Sequence, residues 1–244
     1  MQEGSRCRDP SKKCNFAREM KQKGIFMEEI RENKMGTTPM FRLILSMSVP
    51  AMFSMLVQAL YNIVDSIFVS RLGVNALAAV SLAFPIQTLM IAVAVGTGVG
   101  INSLISRRLG EKKIEEADSA ATHGLFLGVF SWIPFLLFGL FFCRVYMSAF
   151  SSTAEVVDMG VDYLAIVCTL CVGCMVEVMV EKTLQATGNM IYPLLFQLSG
   201  AITNIILDPI FIFGYFGVPA MGVAGAAIAT VIGQFVALIF SLII

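Results

Sequence analysis

The sequence predicts an all-α protein that crosses a membrane six times. Three observations carry that. Of its 244 residues, 57% are hydrophobic and 14% charged, against about 45–50% and about 25% in soluble domains. The apolar residues gather in six long blocks, each reaching the roughly 20 residues that a bilayer-spanning helix needs. Gly and Pro recur inside those blocks, as membrane helices tolerate better than soluble ones.

Residues 1–40 are polar and contain nine Lys and Arg. They lack the apolar core and small-residue cleavage site of a signal peptide, so they read as a disordered, basic cytoplasmic tail. Met27 and Met35 are alternative starts within it. Residues 41–244 form the membrane region. Its blocks run over about 42–71 with Pro50, about 76–105 with Pro85 and Gln87, about 119–144 with Trp132 and Pro134, about 156–182, about 190–216, and about 221 to the end. The sixth runs into Leu242, Ile243 and Ile244 without polar residues, so the chain is expected to break off in or just after that span.

The net charge of zero gives no basis for a nucleic-acid partner. Local charge predicts orientation instead. Arg107, Arg108, Lys112 and Lys113 occupy the second connector and Lys182 the fourth. Only Arg71 and Arg144 fall in the first and third. With the basic tail, this places both ends of the bundle on the cytoplasmic side. Trp132, Tyr146, Tyr163, Tyr192 and Tyr215 fall near block ends, as interfacial aromatics do.

Once the connectors and the outer start of the fourth block, with Asp158 and Asp162, are set aside, four acids remain inside the blocks: Asp65, Glu177, Glu181 and Asp208. A carboxylate in a membrane helix is costly as a free anion and by default marks an ion, proton or substrate path. Residue counts at 1.5 Å each place Asp65 roughly 8–12 Å, and Asp208 about 10 Å, inside the outer boundary. Glu177 and Glu181 fall near the cytoplasmic face, where Glu181 reaches water or Lys182. On the fifth block Asn204 and Asp208 are four apart and share a face, and Pro209 leaves the carbonyl of Ile205 without its helical donor. Thr230, with Ala226 one turn before it, and Tyr163 reach similar depth. Asp65, Asn204, Asp208, Thr230 and Tyr163 can therefore meet in one pocket of oxygen ligands, suited to a hard cation or a proton. Gln58, Tyr61 and Asn62, on the turns before Asp65, are candidates for the same cavity or network, as is Glu181.

Other patterns are weaker. Cys168, Cys171 and Cys174 are spaced as C-x-x-C-x-x-C, but steps of three drift around a helix by about 60° each, so they read as small buried residues. The run Gly96-Thr97-Gly98-Val99-Gly100 lies in mid-block with no strand before it and reads as close helix packing. His123, at the inner start of the third block, is a minor candidate for a proton role. No intramembrane G-x-S-x-G supports a serine enzyme.

Taken in order, SVPAMFSMLVQALYNIVDSIFVSRLGVNALAAVSLAFPIQ, ISRRLGEKK, LQATGN, NIILDPIFIFG and GVAGAAIATVIGQ resemble the MATE family, the multidrug and toxic compound extrusion transporters, over about residues 35–244. The resemblance implies a twelve-helix antiporter of two six-helix bundles, of which this chain is the N-terminal one and a C-terminal six-helix bundle the partner. It implies an H+ or Na+ site at Asp65, Asn204, Asp208 and Thr230, with a backbone carbonyl at Ala226 and Tyr163 in the network. Glu181 departs from the family pattern, which has Asn there in many members. The expected function is export of organic, often cationic, amphiphiles across the plasma membrane, with membrane lipids as surroundings, no enzymatic activity and no cofactor beyond the coupling ion. The rivals are a lipid or polysaccharide flippase, whose cavity would carry several Arg or Lys, and an intramembrane aspartyl protease built on the two aspartates. The contexts IVD and ILDP do not resemble the motifs of such proteases.

Overall fold

The computed structural model describes residues 39–217 and 219–243. The basic tail with Cys7, Cys14, Met27 and Met35, and the last residue, Ile244, lie outside the described residues. Among the described residues eight α-helices follow one another: α1 (Met40–Ser70), α2 (Val74–Gly110), α3 (Ile114–Phe141), α4 (Cys143–Phe150), α5 (Ala154–Leu170), α6 (Val172–Ala186), α7 (Ile191–Phe213) and α8 (Val223–Ile243). A short 3-10 turn, Tyr215–Gly217, precedes α8. No strand occurs among the described residues.

Five of these helices are long and apolar enough to cross a membrane, and α5 with α6 makes a sixth span bent by 47°. The six expected spans are therefore present, with three differences. The third is extended by α4 after a break at Phe142, and α4 packs on α5 through Met147 and Gly160. The fourth is two helices instead of one. Lys182, read as a connector residue, lies inside α6.

The break at Cys171 is supported by two side chains, one of them on another helix. Carbonyls at a helix end lose their partners one turn on. Here the Cys171 thiol donates to the Cys168 carbonyl at 3.1 Å, and the Trp132 indole N–H of α3 donates to the Thr169 carbonyl at 2.9 Å. By contrast α1 runs on through Pro50 and α7 through Pro209, and the interrupted span holds no proline.

Large side chains such as Met90, Met147, Leu164 and Met175 fill the core, while between α7 and α8 small residues let the backbones approach, the packing that membrane bundles use in place of a hydrophobic driving force. A Cβ added at Gly225 of α8 would sit 2.5 Å from the Phe211 carbonyl oxygen, and one at Gly233 would sit 2.8 Å from that of Gly200. Helices α7 and α8 thus make the bundle's most extensive contact, with Gly214, in the left-handed conformation at φ 78°, closing α7. Of the glycine run, Gly98 packs under the Lys182 side chain, while Gly96 and Gly100 face open space.

Helix α1 packs chiefly on α7. Only Asp65 and Val69 of its residues are buried; Met52, Phe53, Met55, Leu56, Leu60, Ile63 and Ile67 are exposed. In the α2–α3 connector, Arg108 pairs with Glu111 and Glu116 at 2.8 and 3.1 Å. The Arg108 hydrogen bond holds the Glu111 carboxyl below the usual carboxylate range.

Candidate cation site

The buried polar residues among the described ones are Asp65, Asn204, Asp208, Thr230 and Ser241. Four of the five converge where α1, α7 and α8 meet. Asn204 and Asp208, one turn apart on α7, turn the same face inward, and the Asn204 amide donates to Asp208 Oδ1 at 3.3 Å. The same amide donates to Thr230 Oγ1 on α8, also at 3.3 Å. Asp65 enters from α1 within electrostatic reach of Asp208. No Lys or Arg among the described residues pairs with either aspartate.

What remains unpaired defines the chemistry. Asp65 Oδ1, Asn204 Oδ1 and Asp208 Oδ2 are buried without a hydrogen-bond partner. A buried polar atom left unpaired costs on the order of 1–3 kcal/mol, more for a charged group. Three such acceptors, all hard oxygens and two of them carboxylate, fit a small hard cation or a proton. Bound there, Na+ would be held by Asp65, Asp208, Asn204 and Thr230, and it would supply the positive charge that the two carboxylates lack. Among the described residues no three His, Cys, Asp or Glu form a metal-holding group, so any ion site here draws on neutral oxygens as well as the two acids.

The remaining candidates fall around this centre. Ala226 is fully buried one turn before Thr230. Tyr163 is buried on α5, and its hydroxyl accepts a hydrogen bond from Gln87 Nε2 at 2.9 Å. Tyr61 lies among Asp65, Thr230 and Asp208. Gln58 is half-buried on α1. Asn62 is exposed and lines an open groove with Ile63, Ser66, Ile67 and Leu77, away from the buried cluster.

Glu181 belongs to a separate cluster at the other end of the bundle. It accepts from Lys182 Nζ at 2.9 Å and Gln185 Nε2 at 2.6 Å, and Lys182 also donates to Gln185 Oε1 at 3.2 Å. Glu177 lies near both Glu181 and Lys182. Asn102 of α2 fixes the Lys182 carbonyl at 2.8 Å. His123 is exposed, donates from its ring to the Ser119 carbonyl, and has no part in the site.

Two residues escaped the sequence reading. Gln87, noted only as a polar residue of the second block, is the partner of Tyr163. Gln234 of α8 carries a buried, unpaired Oε1. Its signal was present in the spacing, since it stands one turn after Thr230.

A buried cluster of oxygen ligands inside a bundle of membrane-length helices defines the class: a multi-pass membrane protein. The MatE family model matches residues 50–210, and the chain belongs to that family. It is 29% identical over 208 residues to the FAD transporter of Shewanella oneidensis, covering 84% of this chain and 45% of that protein. It is 26% identical over 207 residues to the multidrug export protein MepA of Staphylococcus aureus, again covering 84% and 45%. Among solved structures, a MOP superfamily transporter from Pyrococcus furiosus superposes with a TM-score of 0.75 at 34% identity, over 82% of this chain and 43% of that one. An outward-facing multidrug resistance MATE family transporter gives 0.76 at 34%, with the same coverage. The chain thus spans about half the length of the curated relatives that it matches, which are named as transporters and export proteins and not as enzymes.

Proposed function

We propose that this chain is the N-terminal six-helix half of a plasma-membrane antiporter that couples inward H+ or Na+ flow to export of organic, often cationic, amphiphiles. Its N-terminus is cytoplasmic, and a second six-helix bundle completes it. The observation that carries the reading is the pair of buried aspartates on separate helices, with unpaired oxygens and no basic partner among the described residues.

That pair has a mechanical consequence. With no positive charge between them, Asp65 on α1 and Asp208 on α7 are like charges in a medium of low dielectric, where repulsion is strong. A proton or a Na+ cancels it. Occupancy therefore changes the free energy of packing α1 against α7, and α1, exposed along most of its length, is the helix freest to respond. An ion can shift such an equilibrium only by its differential affinity for the two arrangements, which two converging carboxylates provide.

The flippase alternative fits less well. Phosphate-bearing cargo calls for basic side chains. The most buried of the paired basic side chains, Lys182 at 15% exposed, is already neutralised by Glu181. The same reasoning favours cationic or neutral cargo over one like FAD, for which the Shewanella relative is named.

The test is transport by the complete protein in liposomes with pH and Na+ gradients imposed separately. Asp65→Asn should abolish gradient-driven efflux while inserting and folding as wild type does. Efflux by that variant at the wild-type rate, with equal protein per vesicle, rejects the coupling role.

A further inference from the structure

The buried side-chain acceptors that lack a partner among the described residues number four: Asp65 Oδ1, Asn204 Oδ1, Asp208 Oδ2 and Gln234 Oε1. Three of them make up the candidate cation site. The fourth stands on α8, four residues after Thr230, so it shares that residue's face about 6 Å along the helix axis. Its surroundings hold it in place. Next to it, Gly233 packs on Gly200 and on Asn204 Cβ of α7, while Phe235 packs on Gly173 of α6. Helix α8 is wedged between two neighbours at this level. Gln234 is half-buried, but its Oε1 is closed off from solvent, and an acceptor so placed has no cheap alternative to a bound partner.

We propose that Gln234 is a further residue of the ion path, a neutral-oxygen station for Na+ one turn inward of Thr230, joining the Asp65–Asp208 centre to the inner half of the bundle. The proposal rests on the cation-site reading above and adds a commitment on the ion. A bare proton settles on a carboxylate and has no use for a neutral amide oxygen, whereas Na+ takes amide carbonyls as readily as hydroxyls. Gln234 would thus take the ion as it leaves or enters the two aspartates, with its Oε1 replacing one water of the hydration shell.

The experiment is Na+ binding by calorimetry near pH 8 on the complete transporter and three variants. Gln234→Leu should lower Na+ affinity by about tenfold. Gln234→Glu, which keeps an oxygen at the same reach, should bind at least as tightly as wild type. Gln197→Leu removes an amide already engaged by Ser54 and should leave Na+ affinity unchanged. Wild-type affinity in Gln234→Leu overturns the proposal. Equal loss in Gln234→Leu and Gln234→Glu also overturns it, because that pattern reports packing. Absence of Na+ heat in wild type overturns both this station and the sodium reading. Proton-driven efflux by the same preparation would then leave the export reading standing.

Discussion

Thr230→Val separates what the hydroxyl does for the fold from what it does for an ion. Thr230 is 4% exposed, and its hydroxyl accepts one hydrogen bond, from Asn204 at 3.3 Å. Valine has the same shape without the hydroxyl, so no cavity opens and no neighbour must move. Side-chain hydrogen bonds between membrane helices average about 0.6 kcal/mol and reach about 1.7, so thermal stability should fall by no more than that. An oxygen withdrawn from a bound cation is a larger loss. Bonds to charged groups contribute about 1.5–3 kcal/mol, and each 1.4 kcal/mol is about tenfold in affinity, so Na+ binding should weaken by about 10- to 100-fold. The assay is calorimetric Na+ titration near pH 8, with a melting curve on the same preparation. Unchanged Na+ affinity in a variant that melts like wild type would show that the oxygen cluster is not the ion site. A drop in melting alone would reduce Thr230 to a packing contact.

Two further outcomes are expected. Gly225→Val places its Cβ 2.5 Å from the Phe211 carbonyl oxygen and 2.6 Å from the carbonyl carbon, backbone atoms that cannot swing aside, so α7 and α8 must part. Overpacking of this kind costs on the order of 1–3 kcal/mol, and the detergent-solubilised protein should melt lower; a wild-type melting curve contradicts the packing described for α7 and α8. For orientation, an impermeant thiol reagent applied outside the cell should label a cysteine placed at exposed Ser152 but not one at exposed Glu111. The opposite pattern reverses the topology and places the Asp65–Asp208 centre in the inner half.

The six spans and the polar residues within them were legible because both are local properties. A run of apolar residues is long enough to span or it is not, and Asn204 and Asp208 share a face whatever surrounds them. What escaped depends on partners distant in the chain. The break at Cys171 carries no proline, and the residues that settle its carbonyls include Trp132, on another helix. Helix α4 holds Arg144 and Tyr146, which lower local hydropathy enough to look like a connector, yet Tyr146 donates to the Leu82 carbonyl of α2 at 3.0 Å. Lys182 reads as an inside charge in a count along the chain. Its seat over Gly98 and its bond to Glu181 need the fold. Gln87 is a single amide in an apolar block, and only the tyrosine that it meets sets it apart.

The joint in the fourth span has a consequence in distances. It divides a rod into two arms, α5 bearing Tyr163 and α6 bearing Glu181 and Lys182. Tyr163 stands eight residues from Cys171, an arm of about 12 Å. A change of about 10° in the bend would carry its hydroxyl sideways by about 2 Å, the difference between an intact and a broken hydrogen bond to Gln87. With α5 held instead, the same change would swing Glu181, ten residues to the other side, by about 2.6 Å on an arm of about 15 Å. The same angle is thus read out at both ends of the bundle, about a joint held by one indole nitrogen and one thiol.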